Sequence, residues 1–563
     1  MGCGAWSRGV LGALLALLAL PSAAAAATLP KQFEETTVID GLGYPTAVSF
    51  APNGRVFIAE QSGVIKTYSR VRDSTPTVLA DLRTEVHRFN DRGLLGMTID
   101  PRFPEKPHLY ALYARDAPLG GSTPTWGKPS TDSDGCPDPP GVTDGCVISG
   151  RLVRLTVGKS RVKRTKVLVD DWCQQAGTHS IGDLAFGASG ALYASAGDGA
   201  TPSYTDYGQE GQPPNPCGDP PAGVGGQQSP PSAEGGSLRS QDLRTPADPT
   251  TLSGSVIRID PRDGSADKDN PLSSSHDPNA RRIVAHGFRN PFRLAVRPDT
   301  DEVWVADVGS AFIEEIDRVQ PGAVSNYGWP CFEGHFKHPG FDPLDFDLCE
   351  SLYAEEAATG QAVAKAWFSY QQGYPTVEGD GCDPGQSAIS AIAFYPRGAF
   401  PKSFDGALFF GDYTRQCIWV AKAEKGGLPD PELVRPFLVG DATPVDLESG
   451  PGGLFYVDIL NGELRRIRFI GGNRSPRASL GASRRYGPLP LRVRFNASKS
   501  RDPEGKRLRF RWDLDGDGRF DDSRRKRPTR TYTRARPVTV SLRARDRHRR
   551  RDVERLRIFP GNT

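Results

Sequence analysis

One repeating unit constrains the fold more than any other feature of the sequence. An apolar strand, a Pro/Gly/Asp turn and a second β-rich strand recur as AVSFAPNGRVFIAEQSG (47–63), GMTIDPRFPEKPHLYALYA (96–114) and DLAFGASGALYASAGDG (183–199). The unit returns as RLAVRPDTDEVWVADVG (293–309), AIAFYPRGAFPKSFDGALFFGDY (391–413) and VDLESGPGGLFYVDILNG (445–462). Each copy alternates apolar and polar residues at period two about its turn, the pattern of a half-buried hairpin. Such a unit cannot bury both faces alone, so six copies are expected to close radially into a six-bladed β-propeller rather than stand as an open series of sandwiches. Phe33 to Ile39 is placed to add an outer strand to the blade completed by Leu464 to Phe469, which seals the ring. Two Gly/Pro-rich insertions, 117–149 and 200–252, are too long for blade turns, and loops of that size tend to carry function or motion.

At 563 residues the chain exceeds one ordinary core, and its charge marks where a second module starts. From Gly472 onward there are 28 Lys/Arg against 10 Asp/Glu, a net of +18, whereas the preceding residues carry 42 against 57, a net of −15. Past the linker GGNRSP, residues 495–522 and 530–546 alternate as sandwich strands do. With Ser500-x-Asp502-Pro503 and Trp512-Asp513-x-Asp515-Gly516-Asp517-Gly518, the stretch 476–558 resembles a PKD domain. The whole is expected to be all-β: a propeller over 28–471 and a small, basic Ig-like (PKD) β-sandwich over 472–563.

Residues 1–27 read as a secretory signal peptide: Arg8, an apolar run from Val10 to Leu20, then Pro21 and an alanine-rich stretch ending near Ala27. About a dozen apolar residues fall short of the roughly 20 a spanning helix needs, and no later segment reaches that length. The chain is therefore expected to be secreted or held at the cell surface. Without Cys3, eight cysteines remain, an even set that in an exported chain reads as disulfides. Their close spacings suggest Cys136–Cys146 and Cys331–Cys349 as loop staples, with Cys173, Cys217, Cys382 and Cys417 then remaining. No Cys-x-x-Cys pair supports a zinc site.

The strongest local constellation is Thr178-His179-Ser180-Ile181-Gly182, leading into a repeat that ends at Gly197-Asp198-Gly199. A His before the first strand of a blade and an Asp after the second reach the same end of a propeller. There a carboxylate can fix the imidazole tautomer while the other ring nitrogen acts as a base, although a lone His is more often structural. Four further motifs, Arg92-Gly93-Leu94-Leu95-Gly96, Gly287-Phe288-Arg289-Asn290-Pro291, Asp307-Val308-Gly309 with Glu314-Glu315-Ile316, and Asn326-Tyr327-Gly328-Trp329-Pro330, flank this unit in order. Together they resemble the soluble glucose/sorbosone dehydrogenases, six-bladed propellers that use pyrroloquinoline quinone (PQQ), over about Gly41 to Ile470.

The resemblance implies that His179 removes the proton of a sugar hydroxyl, that Asp198 orients it, and that Arg289 and Asn290 hold the quinone. The backbone carbonyls of Gly309 and Ser310 match those that coordinate Ca2+ in the family, oxygen ligands suiting that hard cation. The implied chemistry is oxidation of a sugar or alcohol, with hydride passed to PQQ and on to an acceptor that no motif identifies. Two departures stand out. The best-studied members clamp the carboxylates of PQQ with a Lys and two Arg, where this chain has Thr414, Thr443 and Val445; Arg415 lies one residue away, pointing the opposite way if on a strand. Asp91 stands where those enzymes place an amide among the cofactor contacts.

These departures keep a second reading open, a non-catalytic propeller that binds carbohydrate or protein at the cell surface. A lactonase-type propeller would require carboxylates ringed about the central channel, which the sequence does not locate. Asp513, Asp515 and Asp517 alternate as in an EF-hand, but no Glu stands twelve positions on and no helices flank them, so a structural turn is expected. The Arg runs 524–527 and 547–551 suit an anionic cell-wall polymer or lipid headgroups better than nucleic acid, which an exported protein rarely meets, and a solvated charged face fits them equally.

Overall fold

Six sheets follow one another along the chain, each begun by one of the sequence repeats and antiparallel except where Ile283–His286 of the third pairs parallel with Ser325–Asn326. The computed structural model describes residues 27–136, 146–211, 213–245, 248–424, 427–471 and 475–561. Apart from Ala27 the expected signal segment lies outside them, as do Gly472, Asn473 and Arg474 of the linker. The innermost strands are Pro45–Phe50, Leu94–Ile99, Ile181–Phe186, Pro291–Val296, Ile389–Tyr395 and Pro444–Gly450. Each packs against the next, and the last returns to the first, giving a propeller. Phe33–Ile39 pairs antiparallel with Glu463–Phe469, Phe33 opposite Phe469, so the N-terminal strand completes the last sheet as the repeat pattern predicts.

The hairpins close where the sequence turns. Gly190, at φ 85°, lets the amides of Gly187 and Gly190 close the turn between Phe186 and Leu192, a conformation strained for any residue with a Cβ. Apolar faces then meet between neighbouring sheets: Leu112, Leu152 and Trp172 of the second pack on Ile181, Leu192 and Ile257 of the third. At the axis, Arg293 is 1% exposed and donates to the carbonyls of Val445, Leu95 (3.0 Å) and Thr46 (2.7 Å), tying four sheets together. Asp183, Asp446 and Glu448 stand around it, so the channel does carry carboxylates, but a guanidinium lies among them.

Four disulfides join Cys136–Cys146, Cys173–Cys217, Cys331–Cys349 and Cys382–Cys417. The insertion after Ala200 is further held by the buried Arg239, whose Nε and Nη2 each donate to Asp219 at 2.6 Å. One element has no counterpart in the β-pattern: the helix Asp347–Thr359, acidic in its first turn and ended by Gly360 at φ 63°. It buries Leu348, Cys349, Leu352 and Tyr353 against Phe341 and Phe346, just before it in the chain, and Leu238 of the 200–252 insertion. No helix among the described residues is long and apolar enough to cross a membrane.

The C-terminal module is a sandwich of a three-stranded and a four-stranded sheet around Trp512, Val493, Phe495, Leu542 and Ile558. Asp513 accepts from the amides of Gly516 (2.7 Å) and Gly518 (3.0 Å), and Asp522 from those of Leu514 and Asp515, so the aspartate run serves as a turn. Asp522, rather than Asp517, approaches Asp513 and Asp515, and Arg530 pairs with both Asp515 and Asp522.

Candidate functional site

The third sheet brings its two chemical residues together by its own register. Ile181 pairs with Ala196, which places the residues preceding Ile181 and following Ala196 side by side at one end of the hairpin. His179 Nδ1 lies 2.9 Å from Asp198 Oδ1, and His179 sits at φ 47°, held there by its carbonyl accepting from Gly199 N–H. Gly197 between them is obligatory, since a Cβ there would come within 2.4 Å of the His179 carbonyl oxygen.

Asp198 is fully buried and saturated with donors. Its Oδ1 also accepts from Ala200 N–H at 2.9 Å, and its Oδ2 from the indole N–H of Trp329 at 2.7 Å. Burial opposes its ionisation, yet His179, their hydrogen bond and the nearby Arg289 hold the carboxyl below its usual pKa. An ionised acceptor at Asp198 keeps the proton on Nδ1 and leaves Nε2, which bonds no described residue, as the acceptor facing the site. Trp329 belongs to a motif legible in the sequence, but its role as a second donor to Asp198 is a long-range contact that spacing does not reveal.

Arg289 and Asn290 enter from the fourth sheet. Both backbone N–H groups are held by Asp307, at 3.1 and 2.7 Å, and burial raises the pKa of that carboxyl to about 7. The Arg289 guanidinium lies 5.5 Å from the Trp329 ring centroid and donates through Nη1 to the carbonyls of Val308 (3.1 Å) and Gly309 (2.6 Å). Its Nε is buried without a partner. The following loop wraps around Glu333, whose Oε1 accepts from the amides of Ser310, Ala311, Phe312 and Ile313 at 2.9 to 3.1 Å.

Asp91 keeps an exposed surface, yet desolvation pushes its carboxyl pKa up against the pull of His179, Arg289 and Arg92. A carboxylate at the floor of an open depression satisfies both observations. Tyr413, half-open to solvent, lies close enough to Asp91 to feel its charge. Asp91, His179, Asp198, Arg289 and Trp329 thus form one site. A cleft of 710 Å³ lined by His108, Tyr110, Arg154 and Asp260 opens beside the opposite turns of the second and third sheets and holds none of them.

The clamp positions do not converge on cations. Thr414 bonds Asp412 and the Gln386 carbonyl, Thr443 bonds Asp458, and Val445 is buried in the core. Arg415 lies in the turn between two strands rather than on one, 1% exposed, with its donors spent on Ser387, Thr376 and the carbonyls of Tyr374 and Gln371. The residues therefore fit the reacting end of a quinone, for which the site offers an orphaned Arg289 N–H and an unbonded imidazole nitrogen. They do not fit its three carboxylates. Of the two carbonyls expected to hold calcium, that of Gly309 already accepts from Arg289.

The propeller, with a buried Asp–His pair at one end of its strands, falls in a family described as sugar dehydrogenases. The chain belongs to the glucose/sorbosone dehydrogenase family, whose model matches residues 42–213 and 235–465, and a PKD domain model matches 473–557. It is 25% identical to the uncharacterized protein slr1608 of Synechocystis over 77% of this chain and 86% of that one. Against the aldose sugar dehydrogenase YliI of Escherichia coli it is 26% identical over 40% of this chain and 53% of that protein. A Thermus thermophilus structure described as an oxidoreductase (glucose dehydrogenase) superposes with a TM-score of 0.52 at 21% identity, over 77% of this chain and 99% of that one, a likeness of fold.

Proposed function

We propose that the protein is an exported sugar or alcohol dehydrogenase in which Nε2 of His179 accepts the proton of the hydroxyl being oxidised. The observation that carries this is the relay Trp329–Asp198–His179, three buried side chains whose bonds at 2.7 and 2.9 Å fix one tautomer and aim one basic nitrogen into the site. Asp198 compensates the imidazolium as it forms, and Arg289 offers positive charge where oxygen charge develops. PQQ, when bound, accepts the hydride. Asn290 beside Arg289 and the Gly309 and Ser310 carbonyls would face the quinone and its calcium. Asp91 takes part at the same floor.

Residues 1–27 act as the export signal, 28–471 as the catalytic propeller and 472–563 as an anchor to anionic polymer at the cell surface. The neutral residues at 414, 443 and 445 favour one alternative, a propeller that binds carbohydrate without oxidising it. Titrating the apo-protein with PQQ and calcium, then following dye-coupled oxidation over a sugar panel, separates the two. Oxidation that His179→Ala abolishes supports the dehydrogenase, whereas sugar binding with neither quinone uptake nor turnover supports the alternative.

A further inference from the structure

We infer that one face of the C-terminal four-stranded sheet is a docking surface for a linear polymer with a phosphodiester in every repeat. This deepens the anchoring role proposed for the domain and rests on it. The strands Arg509–Asp513, Val538–Arg545 and Arg551–Pro560 lie side by side, and their register stacks arginines across the sheet. Arg509, Arg545 and Arg551 form one row over three strands. Arg511 opposes Arg543 in the next row, and Arg555 and Arg557 continue along the outer strand, opposite Ser541 and Thr539. The alternate residues Trp512, Val540, Leu542, Ala544 and Ile558 fill the core, so the pleat turns the arginines outward.

Like charges placed directly opposite weaken a sheet, and the Phe520 ring against Arg543 offsets only part of that cost. None of these arginines forms an ion pair with a carboxylate among the described residues, and Asp552 and Glu554 alternate onto the other face. Burial, then Arg551, Arg511 and Arg545, holds the Arg543 guanidinium below its ordinary pKa, while its plane lies 4.3 Å from the Phe520 ring centroid. A sheet that keeps such a lattice uncompensated is built to receive anions. Rows about 4.8 Å apart across strands and about 6.8 Å along them present guanidinium forks, which grip phosphate oxygens in pairs. A flexible polyol-phosphate backbone can bring successive phosphates to both spacings, whereas the stiff rings of a polyuronate fix its carboxylates at one. A flat sheet face does not enter a duplex groove, which disfavours double-stranded nucleic acid, and the exposed Tyr486 stacked on Phe559 makes oligo-dT the single-strand arm of the test.

The test uses the full chain on immobilised poly(glycerol phosphate) across a salt gradient. One variant carries Arg509→Gln, Arg511→Gln, Arg543→Gln and Arg545→Gln; a charge-matched control carries Arg492→Gln, Arg494→Gln, Lys526→Gln and Arg527→Gln beside the other sheet. Each lost phosphate contact removes about threefold from the affinity change between roughly 50 and 200 mM salt, so the first variant is expected to elute far earlier while the control elutes as wild type. The first variant is also expected to melt higher than wild type, because opposed charges have gone. Equal losses in both variants overturn the face while leaving an anchor of general charge. Tighter wild-type binding to polygalacturonate, oligo-dT or anionic vesicles overturns the assigned polymer, and no retention of wild type removes the anchoring role itself.

Discussion

Asp198→Asn is the most searching perturbation of the site, because it changes almost no volume and one hydrogen-bond pattern. The carboxylate accepts three N–H groups, from His179 Nδ1, Ala200 and Trp329 Nε1. Asparagine has one accepting oxygen and an NH2 group, so in either orientation a donor faces a donor. With the NH2 toward Trp329, the indole N–H is left unpaired. With the NH2 toward His179, Nδ1 must give up its proton and Nε2 must take it, which removes the base from the site, and the Ala200 amide is orphaned. An unpaired buried donor costs about 1–3 kcal/mol. A propeller of this size has an unfolding entropy near 1 kcal/mol per kelvin, so melting should fall by only about 1–3 °C. Turnover should fall by about 10²–10⁴, because the wrong tautomer is no longer a base. Dye-coupled oxidation with PQQ and calcium reads the rate, and NMR of isotope-labelled histidine reads which ring nitrogen carries the proton. Wild-type turnover with His179 protonated on Nε2 would refute the assigned base.

Replacing the base itself by His179→Ala should cost about 10²–10⁴ in turnover while melting temperature and quinone binding stay near wild type, read by calorimetry and titration. Thr414→Lys should tighten PQQ by roughly one to two powers of ten, the worth of one charge-assisted bond, measured by isothermal titration; unchanged affinity would place the carboxylates elsewhere. Val445 is unsuited to the same experiment, since a cation there would enter the core. Acidification should stabilise the fold: burial holds Asp242, Glu314 and Glu315 at about 8 and Asp307 and Asp446 at about 7, against ordinary values of 3.8 to 4.5. Between about pH 4.5 and 7 the unfolded chain releases protons that the folded chain keeps, so stability falls as pH rises. A melting temperature higher at pH 8 than at pH 5 would contradict this.

The sheets and the pairing of His179 with Asp198 were legible because both follow from period-two alternation around a turn. A hairpin carries its own register, so a residue just before one strand and another just after the next meet without help from elsewhere. Even the closing strand could be read, since Phe33–Ile39 alternates and had no partner nearer than the chain's end. What the sequence hid depends on contacts across sheets. Trp329 reaches Asp198 across 131 positions. Where the Arg415 guanidinium ends was not legible because it sits in a turn, where strand alternation says nothing. The helix Asp347–Thr359 interrupts the repeat inside an insertion, and its four buried side chains take partners from that segment and, through Leu238, from another far earlier in the chain, which no periodicity reveals.

The site's charge bears on how a thinned clamp can coexist with an intact His179–Asp198 pair. Around Arg289 stand Asp91, Asp198, Asp307 and Glu314, and full ionisation of these acids would repel any anionic cofactor. Of these, Asp198 is held below its ordinary pKa, because the His179 side chain bonds it directly and Arg289 adds its charge. Burial raises the pKa of Asp91, that of Asp307 to about 7 and that of Glu314 to about 8, so near neutrality much of the charge of Asp307 and Glu314 is suppressed by bound protons. In this site protonation does part of what a ring of cations would do for the quinone's surroundings. It supplies no direct bond to a carboxylate, so orientation of a bound quinone would fall to Arg289 and its fixed carbonyl contacts. Discrimination then rests on the reacting end of the ligand, the end at which Nε2 of His179 waits.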